Sequence, residues 1–150
     1  MIPILILQIF LFPVIVNYSM NVWVDSRRTL VLQEAASNMG SSIQQMYFAL
    51  NHSTTPPGRM SDQFKLPPYI EGYFYRAKAT LQPSGTATTS SQVLKITVEL
   101  VTTRHEVTSS ILLGSNAQWD IPTTFVSNST NANAYAEKFQ NGTIKLGFGE

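Results

Sequence analysis

The chain opens with "MIPILILQIFLFPVIVNYSMNVWV", twenty-four residues without an Asp, Glu, Lys or Arg. About 20 apolar residues are enough to cross a bilayer as a helix. Such a segment must therefore lie in lipid or be covered by other protein. Residues 1–16 contain one polar side chain, Gln8, and two prolines; Asn17, Tyr18, Ser19 and Asn21 follow before Val24. A secretory signal would carry a basic start and a small-residue cleavage site. Here the first basic residue is Arg27 and the first alanine is Ala35. Pro3 falls in the first turn, where its missing N–H is harmless. Pro13 removes one backbone hydrogen bond and predicts a kink, which lipid-facing or bundled helices tolerate.

The hydrophobic start runs into "DSRRTLVLQEAASNMG" with no Pro or Gly before Gly40. Val31, Ala35, Met39, Ile43, Met46 and Leu50 recur at spacings of four, four, four, three and four, with Leu32, Ala36 and Tyr47 flanking them. Arg28, Gln33, Ser37, Ser41, Gln44 and Gln45 fall largely elsewhere. This pattern predicts an amphipathic helix over 25–52 whose apolar stripe packs on the chain's own domain. The helix stops at "NHSTTPPGR", where Pro56, Pro57 and Gly58 forbid continuation. If residues 1–52 form one helix, it is about 75 Å long. The remaining hundred or so residues cannot bury both halves, so the first half must meet a membrane or copies of itself.

From Asp62 the rhythm changes to period two. In "YIEGYFYRAKATL", Tyr73, Tyr75, Ala77, Ala79 and Leu81 alternate with Arg76, Lys78 and Thr80. "VLKITVEL" sets Leu94, Ile96, Val98 and Leu100 against Lys95, Thr97 and Glu99. "EVTSSILL" offers Val107, Ser109, Ile111 and Leu113 on one face; "QWDIPTTFV" and "AYAEKF" are weaker strands, and "GTIKLGF" ends with Ile144, Leu146 and Phe148 alternating. "QPSGTATTSSQ" is a polar connection. Short alternating strands between turn residues predict an all-β domain over 62–150. The expected fold class is α+β: a long N-terminal helix, hydrophobic in residues 1–24 and amphipathic in 25–52, packed on a small antiparallel sandwich-like domain. The stripe would cover one open sheet face.

This layout resembles that of type IV pilin-like filament subunits, in particular the archaeal pilin and archaellin branch. The β part is similar too: "LPPYIEGYFYRA", then "VLKITVEL", then "YAEKFQNGTIKLGFG", matching the loose Leu-Pro-x-x-Ile-x-Gly-x-x-Tyr stretch and Gly-x-Ile-x-Leu ending of archaeal members. Leu5 stands where bacterial pilins carry glutamate, as in many archaeal ones. No basic leader precedes the hydrophobic start, which implies a chain already processed or differently started. The resemblance implies a homopolymer of identical subunits, membrane-inserted before assembly and extracellular afterwards. Its hydrophobic halves would pack as a central bundle through Ile4, Leu7, Phe10, Leu11, Val14 and Tyr18. The rigid amphipathic half would bolt the β domain to that bundle. The alternative function is a membrane-anchored extracellular β domain that binds a partner without forming a filament.

Chemistry beyond assembly has little support. The chain has no cysteine, which excludes disulfides and thiolate sites. With ten Lys and Arg against nine Asp and Glu, and only Arg27-Arg28 adjacent, no basic patch for nucleic acid is expected. His52 and His105 lack metal-type spacing, and the acids are dispersed, so no catalytic residue, metal site or cofactor is expected. Four N-x-S/T sequons begin at Asn17, Asn51, Asn128 and Asn141. Asn51, Asn128 and Asn141 are candidate N-glycosylation sites because they fall in loop contexts. Asn17 falls in the hydrophobic helix and is expected to stay unmodified.

Overall fold

A computed structural model of the chain describes residues 2–85, 91–129 and 132–149, with side-chain exposure from Pro3. Met1, residues 86–90 of the predicted polar connection and Thr130 of the Asn128 sequon lie outside the described residues.

The hydrophobic and amphipathic segments form one helix, α1, running Ile2–Asn51 with Pro13 inside it. Its 50 residues make it about 75 Å long. The last turn holds no basic residue, and later side chains satisfy one of its carbonyls and two just past the helix end. Lys138 donates to the carbonyls of His52 at 3.0 Å and Thr55 at 2.8 Å, and the Thr55 hydroxyl donates to Ala49 O at 2.9 Å. A cation at a helix C-terminus is also favoured by the helix dipole.

Among the described residues eight strands follow: β1 (Gly58–Gln63), β2 (Tyr75–Pro83), β3 (Gln92–Leu100), β4 (Glu106–Leu113), β5 (Ala117–Trp119), β6 (Thr124–Val126), β7 (Asn133–Lys138) and β8 (Ile144–Phe148). They form two four-stranded sheets, ordered β1-β7-β8-β5 and β4-β3-β2-β6. All pairings are antiparallel except β5 with β8, which is parallel. The α+β class is as the sequence predicts, with three differences in detail.

First, strand structure starts at Gly58, four residues ahead of the change in rhythm. The segment "GRMSDQ" is almost wholly exposed and carries no alternation. It is an edge strand held to β7 by backbone pairing from Gly58↔Lys138 to Gln63↔Asn133. Second, β2 begins at Tyr75 rather than Tyr73. Ile70 and Tyr73 exchange backbone hydrogen bonds of 2.8 and 3.0 Å across Glu71-Gly72, closing a tight turn just before the strand. Third, "QWDIPTTFV" is two strands in different sheets. Trp119 pairs with Leu146, whereas Thr124 pairs with Lys78, and a cis Ile121–Pro122 bond lies between them.

The core joins the inner faces of both sheets to the helix. Ala77, Leu94, Ile96, Val98, Ile144 and Leu146 are fully buried, and Phe125, Phe148 and Trp119 pack edge to face beside them. The helix does not cover the face of one sheet: it touches β4 and β3 of one and β7, β8 and β1 of the other. It forms a third wall of the domain. Its stripe is centred on Leu32, Ala35, Ala36, Met39, Ile43, Met46, Tyr47 and Leu50, all buried. Val31 is only half-buried and sits at the edge; one residue is a rotation of about 100° on a helix, which puts Leu32 in its place. Gly40 lets the wall close up, since a Cβ there would lie 3.2 Å from Ile111 Cγ2.

The outer face of the β1-β7-β8-β5 sheet carries a small polar cluster. Asp120 accepts from the Tyr135 hydroxyl and pairs with Lys145 Nζ at 3.0 Å. These contacts, the Tyr135 bond foremost, hold the Asp120 carboxyl down at about 2. Burial, reinforced by Asp120, pushes the Tyr135 hydroxyl up to about 12.

Candidate assembly surface

The first half of α1 is exposed at every residue from Pro3 to Trp23. Ile4, Leu7, Phe10, Leu11, Val14 and Tyr18, the residues expected to build a bundle, are all exposed. So are the side chains between them, Leu5, Ile6, Ile9, Phe12 and Ile15. Exposure ranges from 36% at Val16 to 73% at Phe10. The apolar surface thus wraps all round the helix rather than forming a stripe. A helix apolar on every side is built for burial on every side. Isolated exposed apolar residues need no explanation, but a continuous surface of this kind marks an interaction site or a membrane segment. By length and composition this helix is able to cross a membrane, and none of its most apolar window is buried. That is compatible with membrane insertion. Past the charged residues the outer side of the helix still exposes Leu30 and Phe48.

Between the two halves lies a charged joint. Arg28 Nε donates to Glu71 Oε2 at 2.9 Å, and Arg27 Nε stands 3.7 Å from the other carboxylate oxygen. Asp25 lies 3.2 Å from His105 Nε2 and 3.7 Å from Arg28. The Arg28 guanidinium also sits over the Tyr73 ring at 5.8 Å, and that of Arg27 over Trp23 at 5.7 Å. Two loops therefore grip one turn of helix: the Ile70–Tyr73 turn and the β3–β4 connection.

Glu71 holds an unusual backbone conformation to do so. Its φ is +50°, and Gly72 follows at +82°. Two successive positive φ values are what a two-residue hairpin turn of the mirror-image kind requires, and Asn-Gly is the favoured pair there. A glutamate in that position costs about 1–3 kcal/mol. Its carboxylate is the group the arginines bind, which asparagine is too short to replace. The sequence shows Arg27-Arg28 and the Glu-Gly pair plainly, but neither Asp25 nor His105 stands near Glu71 until the chain folds. The dispersal of the acids along the sequence gives no sign of this joint.

At the far end of the domain the helix is locked by Tyr47. Its hydroxyl donates to Asn116 Oδ1 at 2.6 Å and accepts from Gly114 N–H at 2.9 Å. Burial raises its pKa, and the Gly114 N–H partly offsets this. Gly114 is required, because a Cβ there would stand 2.2 Å from the Tyr47 oxygen.

The candidate glycosylation sites split between the two ends. Asn116 Nδ2 donates to Asn51 Oδ1 and to Gly142 O, each at 2.9 Å, so Asn51 and Asn141 lie together where the helix ends. Asn141 Oδ1 accepts from Thr143 N–H at 3.0 Å, forming an Asx turn. Asn128 lies at the opposite end: the preceding Ser127 hydroxyl accepts from Tyr75 N–H, and Tyr75 pairs with Leu100 beside the charged joint. All three asparagines are exposed, and so is Asn17 in the single chain. Among the described residues no group of three His, Asp or Glu is placed to hold a metal ion.

Comparison of the chain with protein-family models, with curated proteins and with solved structures finds no match. Its own geometry carries the functional reading.

Proposed function

We propose that the protein is a structural subunit of an extracellular type IV pilus-like filament of the archaeal kind. It waits in the membrane and polymerises through the first half of α1. One observation supports this most: a single uninterrupted helix is exposed and apolar all round over Pro3–Trp23, yet fully buried along one stripe from Leu32 to Leu50. A bilayer and a bundle of identical helices are alternative solvents for the first surface. Membrane helices associate without a hydrophobic drive, through packing and polar contacts; Asn17 and Asn21 are placed to supply the latter. The joint at Asp25–Arg28 then transmits the bundle's geometry to the β domain. Glycans on Asn51, Asn128 and Asn141 would coat the outside of such a fibre.

Electron microscopy of native surface appendages, combined with crosslinking, tests the proposal. The expected result is a regular fibre containing this chain, with Phe10 crosslinked to Phe10-region residues of other subunits. A chain found only as a dispersed membrane protein would instead support the anchored β domain that binds a partner without polymerising.

A further inference from the structure

The apolar part of α1, Ile2–Val24, is about 34 Å long at 1.5 Å per residue, close to the hydrocarbon thickness of about 30 Å. Charge begins at Asp25. The β domain reaches down to this same level. Glu71 binds Arg28 and His105 binds Asp25, so the loops bearing them grip the helix at residues whose Cα atoms lie within about 6 Å of Val24 along its axis. The headgroup layer of one leaflet is itself about 5–7 Å thick. When residues 2–24 span a bilayer, both loops therefore stand in the headgroup layer.

What these loops expose fits that environment. Tyr69 is 51% exposed and Val101 37% exposed, and Trp23, at the end of the apolar segment, is exposed as well. Pro67 and Pro68, just ahead of Tyr69, are exposed as well. Aromatic rings with one polar edge concentrate at this depth. Two exposed cations belong to the same region: the Arg27 side chain is 60% exposed, and the exposed Arg104, next to His105, makes no ion pair among the described residues. Basic side chains next to a membrane segment are drawn to anionic headgroups.

We infer that the joint end of the β domain is a membrane-surface collar, in which Tyr69 and Val101 enter the headgroup boundary and Arg27 and Arg104 meet lipid phosphates. The occupant is an anionic bilayer. This rests on the reading that residues 2–24 lie in a membrane before assembly. The collar fixes the domain's height and orientation above the bilayer, and it is released when the subunit leaves the lipid.

The absence of cysteine makes the test clean. Tyr69→Cys, Val101→Cys, Phe10→Cys and Phe139→Cys are each made in the full chain, labelled with an environment-sensitive fluorophore and reconstituted into vesicles. The vesicles are phosphatidylcholine with or without phosphatidylglycerol, carrying quenchers at shallow or deep positions. Phe139 lies at the helix-exit end, next to Lys138, and serves as the water-facing control. The expected result is blue-shifted emission at positions 69 and 101, several-fold more shallow quenching there than at 139, and deep quenching at 10. Arg27→Gln with Arg104→Gln, or omission of phosphatidylglycerol, should lower the shallow quenching at 101 several-fold. Deep quenching at 10 with water-like signals at both 69 and 101 overturns the collar and leaves the membrane segment standing. A water-like signal at 10 overturns the membrane reading itself. Shallow quenching that ignores both lipid charge and the arginine changes overturns the phosphate contacts.

Discussion

The two halves of α1 share one backbone and differ in how many apolar side chains they carry and in how these are distributed round it. Over Pro3–Trp23 they cover every side, and all are exposed. Over Leu32–Leu50 all but Phe48 and Ala49 keep to one side, and all on that side are buried. A one-sided surface needs a one-sided partner, and the two sheets of the same chain supply it. An all-round surface needs surroundings, which no single domain of this size provides. Hydrophobicity alone therefore does not say where a helix goes; its angular distribution does. The second half belongs to folding, and the first is left for surroundings outside the chain's own domain.

The most severe test of that division is truncation. Removing residues 1–24 should leave a soluble monomer that melts as the full domain does. Removing residues 1–50 should expose the inner edges of both sheets and cause aggregation. Leu32, Met39, Ile43, Met46 and Leu50 each contribute about 1.5–3 kcal/mol when buried, together comparable to the whole stability of a domain. Thermal melts of the two truncations check this. Equal, cooperative melting would mean that the stripe is not part of the core.

A single charge should act differently in the two halves. Phe10→Asp places a carboxylate on the all-apolar half, at a cost of about 2.5–3.5 kcal/mol at the centre of a membrane helix. Insertion and fibre formation should be lost while the melting of the β domain is unchanged. Ile43→Asp should do the reverse, unfolding the domain. Fibre counts by microscopy, set beside melting curves, separate the two effects. Normal fibres from Phe10→Asp would mean that the first half is not buried among other subunits.

Much of this division is legible in the sequence because it rests on periodicity. The spacing of Met39, Ile43, Met46 and Leu50 marks the buried side of the helix. The alternation in Leu94–Leu100 and Ile144–Phe148 marks the inner sheet faces. Features held by backbone or by chain-distant polar contacts are not legible in this way. β1 has no alternation, because only its hydrogen bonds to β7 define it. The joint needs Asp25, Arg28, Glu71 and His105 to meet from three separate segments. Which sheet Trp119 and Phe125 enter depends on a change of direction between them, and composition does not encode direction.

Tyr47 locks the far end of the buried half. Tyr47→Phe keeps the ring in place but removes the group that Gly114 N–H and Asn116 Oδ1 use. Leaving such partners unsatisfied costs about 1–3 kcal/mol. The domain should melt several degrees lower, with assembly intact. A melting temperature equal to that of the wild type would show that water replaces the hydroxyl and that packing alone locks the helix end.

The smallest expected effect on stability lies at the boundary between the halves. Glu71→Asn does two opposing things. It places a residue suited to positive φ in the turn, relieving part of the roughly 1–3 kcal/mol held there. It also removes the ion pairs to Arg28 and Arg27, and partly exposed pairs of this kind contribute about 0–1 kcal/mol. The melting temperature should therefore stay the same or rise slightly. What should change is the joint, because Glu71 is the side chain through which the turn grips the helix. Spin labels on Val14→Cys and Thr80→Cys, in membrane-reconstituted full chain, report the distance between the apolar half and the β domain. The mean distance should hold, since the buried stripe still docks the helix, and its distribution should broaden. A large loss of stability would assign Glu71 to the folding half. An unchanged distribution would mean that the stripe alone orients the domain, and that the strained glutamate does not serve as the coupling between the two halves.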